Sequence, residues 1–127
     1  MKMLTEEQIT EGMRTIARAC PGWEVVDSLP MAVTIPGWKY PKKFNPANDW
    51  NDFHRACDVL LGRGKWQRIT HFQIEIDDEL FWGCVLEGPL VETVSKTAAC
   101  GNPQSTRIES AFLALVEVAK IKLEADR

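Results

Sequence analysis

Apolar and polar positions along this chain follow two rhythms, and the switch between them marks out its elements. Over residues 106–124, Ile108, Ala111, Phe112, Leu115, Ala119 and Leu123 recur at the spacing of one helical face, with Glu109, Glu117, Lys120 and Glu124 largely off it. Thr106 and Glu109 have the form of a capping box, and Pro103 stands just outside the helix it predicts. A stripe this regular needs a cover, which makes this helix the expected lid on the core. Near the N-terminus, Ile9, Met13, Ile16, Ala17 and Cys20 form a second stripe, started by a Thr5–Gln8 capping box with Leu4 and Ile9 as staple and stopped by Pro21-Gly22. A third helix is predicted behind Asn45-Pro46-Ala47-Asn48-Asp49, with Asn45 or Asn48 as cap. Its inward residues are Trp50, Phe53, Cys57, Leu60 and Leu61, and Gly62 ends it in the left-handed position.

Between these stretches the period falls to two. Trp23-Glu24-Val25-Val26-Asp27 and Met31-Ala32-Val33-Thr34-Ile35 read as short strands, followed by a proline-rich excursion, Trp38-Lys39-Tyr40-Pro41-Lys42-Lys43-Phe44, suited only to a sheet edge. Phe72, Ile74 and Ile76 alternate with Gln73, Glu75 and Asp77, which predicts a strand with one wet face. After the turn at Asp77-Asp78-Glu79, residues 80–86 are apolar on both faces and read as the central strand. Residues 90–95 form a third strand, and residues 98–105 a loop. The expected fold is α+β: an antiparallel sheet of about four to five strands with three helices packed on it, an α-β-α sandwich in the order αββαβββα. The exposed strands near Val25 and Val33 suggest a homodimer formed by edge pairing.

At 127 residues the chain suits one domain, and its 45% hydrophobic and 26% charged content is that of an ordinary globular fold. No apolar run approaches the roughly 20 residues that span a bilayer, and the N-terminus has no apolar leader core, so a cytoplasmic protein without membrane contact is expected. The four cysteines, Cys20, Cys57, Cys84 and Cys100, form no close-spaced pair, and Cys57 and Cys84 fall in apolar patterns, which predicts buried thiols rather than metal ligands or disulfides. A net charge of −3 argues against a dedicated nucleic-acid binder. It conceals an asymmetry: residues 1–68 carry ten Lys or Arg against eight Asp or Glu, and the remainder five against ten.

The helix-start motif Asn45-Pro46-Ala47-Asn48-Asp49-Trp50, the meander of residues 72–86 and the alanine-rich helix of residues 108–118 together resemble small bacteriophage proteins with the phage ABA-sandwich domain, and the related NinX-like phage proteins. The likeness covers about residues 45–118. The tryptophan follows the aspartate directly here, whereas the family places it a helical turn later, and the last helix lacks the family's Ile-Cys-Arg run. The resemblance implies a phage or prophage gene and an α-β-α layering. It implies no particular chemistry.

No catalytic constellation stands out. His54 and His71 lack a nucleophile or metal-ligand partner at diagnostic spacing, His54 reading as a solvated helix residue and His71 as polar filler in a strand. Asp77-Asp78-Glu79 reads as a charged hairpin tip, because it lacks the alternating ligands and glycine of a calcium loop. Gly62-Arg63-Gly64-Lys65 is too short for a phosphate loop. The strongest candidate is composite: Lys39, Lys42, Lys43, Arg63, Lys65 and Arg68 in two loops, interleaved with Trp38, Tyr40 and Trp66, with Arg107 at the start of the last helix as a separate anion point. Lysines solvating a loop and tryptophans anchoring it to the core give the plainer account of the same residues.

The expected function is therefore binding without catalysis and without a cofactor. A small phage-encoded accessory factor would block a host defence protein through aromatic anchors. The alternative is a sponge that holds a cyclic-nucleotide signal on the basic–aromatic loops or near Arg107. A small metal-dependent hydrolase at Asp78 is the third expectation.

Overall fold

In the computed structural model, residues 4–29, 31–62, 67–88, 99–100 and 106–125 are described, with the side chains of all but residues 74, 76, 79, 99 and 100. The chain runs α1 (Glu6–Ala19), β1 (Glu24–Val25), β2 (Ala32–Thr34), β3 (Lys42–Lys43), α2 (Trp50–Cys57), a π-helical turn (Asp58–Gly62), β4 (Arg68–Ile76), β5 (Glu79–Glu87), β6 (Ala99–Cys100) and α3 (Arg107–Ala125).

The anticipated α+β class is present, but the single sheet of four or five strands is not. The described strands form two antiparallel sheets of three, ordered β1-β2-β3 and β4-β5-β6. The first exists because the proline-rich excursion returns to pair: Lys42 lies opposite Val33 and Lys43 opposite Ala32. Val33 is thus on a central strand, not an edge, and the edges are β1 and the lysine pair of β3. Exposed lysines on an edge discourage further strand addition. In the second sheet β5 is central, as its two-sided apolar pattern predicts. The expected strand at residues 90–95 lies outside the described residues, and the expected loop at residues 98–105 contains β6.

β4 and β5 pair in continuous register from Arg68–Glu87 to Ile76–Glu79 around a tight turn, where Asp77 (φ 51°) and Asp78 (φ 65°) both hold left-handed backbone. Two successive positive φ values are what a two-residue hairpin of this handedness requires, and aspartate tolerates them better than most side chains. Phe72 faces Gly83 across the ladder, and a Cβ there would enter the Phe72 ring, so this glycine makes room for the aromatic.

α3 is not a lid. Besides the predicted Ala111, Phe112, Leu115 and Ala119, it buries Glu109, Ser110, Ala114, Val116 and Val118, so most of its circumference is covered and Glu117, Lys120 and Glu124 mark the strip left in solvent. It packs on α1, β5, β6, α2 and the π-helical turn, and an element enclosed in this way sits inside the core. Glu109, expected off the buried face, is 6% exposed. Its amide donates to the Thr106 hydroxyl at 3.3 Å, and its Oε2 is buried without a hydrogen-bond partner.

α1 matches its prediction: Gln8 N donates to Thr5 Oγ1 (3.1 Å), and Thr5 N donates back to Gln8 Oε1 (2.9 Å). Met13, Ile16, Ala17 and Cys20 are buried. Cys57 and Cys84 are buried as well; burial pushes the Cys20 thiol up to about 12, with Lys122 partly offsetting it, and raises Cys57 too. The Cys100 side chain is outside the described set.

α1 meets α3 at Gly12, where a Cβ would lie 2.5 Å from Phe112 Cζ and 3.0 Å from Val116 Cγ2. Phe112 is itself buried. Alanine is the better helix former by about 1 kcal/mol, but overpacking a filled contact costs about 1–3 kcal/mol. Gly12→Ala is therefore expected to lower the stability measured by urea unfolding; an unchanged or raised midpoint would contradict this packing.

Candidate functional site: basic–aromatic clusters on α2

The loop carrying Trp38 is fixed at both ends by chemistry visible in its sequence. Ile35-Pro36-Gly37-Trp38 closes a turn in which Trp38 N donates to Ile35 O at 2.9 Å, with Gly37 at φ 90°, the proline–glycine pairing such a turn favours. At the far end, β3 leads into buried Phe44, which packs edge-on to Trp23 with ring centroids 5.3 Å apart. The chain then turns through residues 45–49, where Asp49 N and Asn48 N both donate to Asn45 O.

The helix cap is Asp49 rather than Asn45 or Asn48: its carboxylate takes Asn51 N at 2.8 Å. The turn before it uses up the two asparagines, their side chains joined at 3.3 Å, and carries the chain on to Asp49 before the helix begins. Asp52 reaches back to accept Asn45 N at 2.9 Å. These two carboxylates lock the β3–α2 connection, and Arg55 follows one turn later on the same side of the helix.

This brings Arg55 to Trp38. Its guanidinium carbon lies 4.6 Å from the indole centroid, and Lys42 Nζ lies 4.6 Å from the same ring. Next to them Lys39 Nζ lies 5.5 Å from the ring of Tyr40, which is 65% exposed. Among the described residues, Lys39, Lys42, Lys43 and Arg55 make no ion pair. A concavity of about 440 Å³ opens here, lined by Trp38, Lys42, Lys43, Asn45, Asn48, Asp49, Asp52 and Arg55.

A second cluster lies on another face of α2, centred on half-buried Trp50. His54 stacks on it at 5.9 Å and 28°, His71 of β4 meets it edge-on at 5.4 Å, and the Arg107 guanidinium sits over the ring at 5.0 Å. Between the clusters runs a groove of about 590 Å³ lined by Asn51, His54, Arg55, Asp58 and Val59. It shares Arg55 with the first cluster and His54 with the second, so one strip crosses the exposed side of α2 from Tyr40 to Arg107. Asp58 in this groove is steadied by Gln67, whose amide donates to it at 3.0 Å. A separate apolar groove of about 510 Å³, with Leu4, Gly12, Phe112, Leu113 and Val116 in its walls, shares no residue with the strip.

Of the residues singled out in the sequence, Trp38, Lys39, Tyr40, Lys42 and Lys43 thus come together. Arg63, Lys65 and Trp66 lie outside the described residues, and with them the expected meeting of two loops. Arg68 does not join the cluster: it stands opposite Glu87 across the β4–β5 ladder and pairs with it at 3.5 Å. Arg107 belongs to the second cluster. Arg55 was the residue that pattern reading missed, although its spacing from Asp52 places the two on one side of α2.

His54 and His71 do converge, on the indole of Trp50. The hairpin tip at Asp77 lies six residues along the strand from His71, or roughly 20 Å. Among the described residues no three His, Cys, Asp or Glu are placed to hold a metal ion, and no helix is long and apolar enough to cross a membrane.

Set against known protein families, curated proteins and solved structures, the chain matches none of them. The likeness of residues 45–118 to phage ABA-sandwich proteins accordingly rests on its sequence motifs alone.

Burial, reinforced by Arg107 and His54, holds His71 below its ordinary value of 6.5. The native state therefore binds fewer protons than the unfolded chain in the window just below that value, and stability falls as pH falls through it. The wild-type melting temperature is expected to drop between about pH 7 and pH 5, and His71→Gln to flatten that drop. An equal drop in the variant would show that His71 does not carry it.

Proposed function

We propose that the protein is a non-catalytic binding protein that fastens onto a host protein through the strip across α2, as a small phage- or prophage-encoded accessory factor that blocks a bacterial defence system. One observation supports this above the others: Trp38, held by Lys42 and Arg55, stands beside the exposed Tyr40 at the rim of an open concavity. Arginine and large aromatic side chains on a fixed backbone are the composition of an interface hot spot. Two cation–aromatic contacts, each worth about 0.5–1 kcal/mol at a surface, orient the ring before any partner arrives and so reduce the ordering cost of association.

The alternative, nucleotide capture on the same loops, fits this concavity less well. Asp49 and Asp52 line it and oppose a phosphate, and a stacking base would compete with cations already over Trp38. A protein surface that offers both charges suits such a mixed lining better. The phage and host assignments rest on the motif resemblance.

The test is capture from host lysate by tagged protein, comparing wild type with Tyr40→Ala, with the charge reversal Lys42→Glu/Arg55→Glu, and with Leu80→Ala at the exposed hairpin strand. One host protein should be retained by wild type and Leu80→Ala and reduced roughly tenfold or more by the first two variants, as expected for hot-spot losses above 1.4 kcal/mol. Equal retention by all four proteins, or no specific capture by wild type, would remove the proposal. Tyr40→Ala alters a side chain that is mostly in solvent, so a folding defect would not confound the comparison.

A further inference from the structure

The Trp50 cluster assembles basic groups from three separate elements, His54 from α2, His71 from β4 and Arg107 from α3, all with ring or guanidinium centres within 5.9 Å of one indole. No carboxylate balances them: among the described residues Arg107 makes no ion pair, although it lies exposed on the surface. A lone surface arginine ordinarily drifts in water, whereas this one is fixed over an aromatic ring, and no described residue pairs with its guanidinium. His71 adds an unmet demand of its own, because its Nδ1 is shut off from solvent and has no hydrogen-bond partner. His71 also feels the positive field of Arg107 and His54, so the three groups are within electrostatic reach of one another.

From this arrangement we infer a binding site for a small phosphate-type oxyanion at Arg107, His54 and His71, supported from beneath by Trp50. A phosphate is the complement of the donor set: the guanidinium fork offers parallel N–H groups, and each imidazole adds an N–H. The ligand is recognised by its phosphate and not by a base. The indole that a base would stack on is already covered by Arg107 and His54 and is met edge-on by His71 and Phe53. The same chemistry is present in inorganic phosphate and in the phosphate of a mononucleotide. The site lies at the Arg107 end of the same strip but does not rest on the partner reading, and either stands if the other fails.

The experiment titrates the full chain separately with inorganic phosphate, AMP and adenosine, following the imidazole signals of His54 and His71 by NMR at slightly acidic pH. Phosphate and AMP should move both imidazoles, adenosine should not, and Arg107→Ala should weaken the phosphate effect roughly tenfold or more, as for loss of a charge-assisted fork. Arg107→Lys should recover only part of it, because a point charge replaces two parallel donors. AMP binding much more tightly than phosphate would overturn the phosphate-only assignment. So would imidazole signals indifferent to phosphate, an adenosine response equal to that of AMP, or an undiminished response in Arg107→Ala. The backbone amide spectrum of each variant shows that it is folded, so a lost response reports the site.

Discussion

Burial of α3 is the constraint on which the remaining architecture depends. A nineteen-residue helix with apolar side chains round most of its circumference cannot rest on a single layer. β5 and β6 cover one side of it, α1 another, and α2 with its π-helical turn a third. The closest of these contacts is at Gly12, where the absence of a side chain lets the Phe112 ring lie against the α1 backbone. With the helix enclosed, its two ends have different fates. Its buried residues run from Glu109 to Ala119 and the turns after Ala119 are only partly covered, while the start of the helix lies next to α2 and presents the exposed Arg107.

The surface of α2 follows from that enclosure. Phe53, Ala56, Cys57, Leu60 and Leu61 are committed to the core, so the opposite sides of the helix must face water and are free to carry charge. Asp49 and Asp52 determine where the helix begins and how the preceding strand approaches it. Their positions bring the proline–glycine turn, Trp38 and Lys42 alongside Arg55. The basic–aromatic strip thus arises from capping and turn chemistry, with the rigid part of the fold setting its geometry. Sites carried on elements held in this way keep their shape better than sites on unsupported loops.

Local features were legible in the sequence because they depend on near neighbours alone. The capping box of α1, the glycine stop after Leu61, the hairpin at Asp77-Asp78 and the two-sided character of β5 are all set by residues a few positions apart. The features that pattern missed depend on distant parts of the chain. Nothing local distinguishes a helix covered on one side from one enclosed on several, so α3 read as a lid and Glu109 as lying off the buried face. The edge position of Lys42 and Lys43 was legible from the prolines, but the separation of the strands into two sheets depends on which strands pair, and that is not written locally. The site divided in the same way. Trp38, Tyr40 and the nearby lysines announced themselves by clustering in the sequence, whereas Arg55 reaches Trp38 only through the fold. Arg68 looked available until its cross-strand partner Glu87 was in place, and the convergence of His54, His71 and Arg107 on Trp50 spans three elements that share no sequence neighbourhood.

The central claim is that the molecule meets its partner with the exposed side of α2 and the loop before it. Amide hydrogen exchange on the full chain, free and then saturated with the captured host protein, addresses this directly. Slowed exchange at residues 38–43 and 50–59, with α1 unchanged, is the predicted result. Protection confined to the apolar groove between α1 and α3, with the α2 strip exchanging as freely as before, would contradict it.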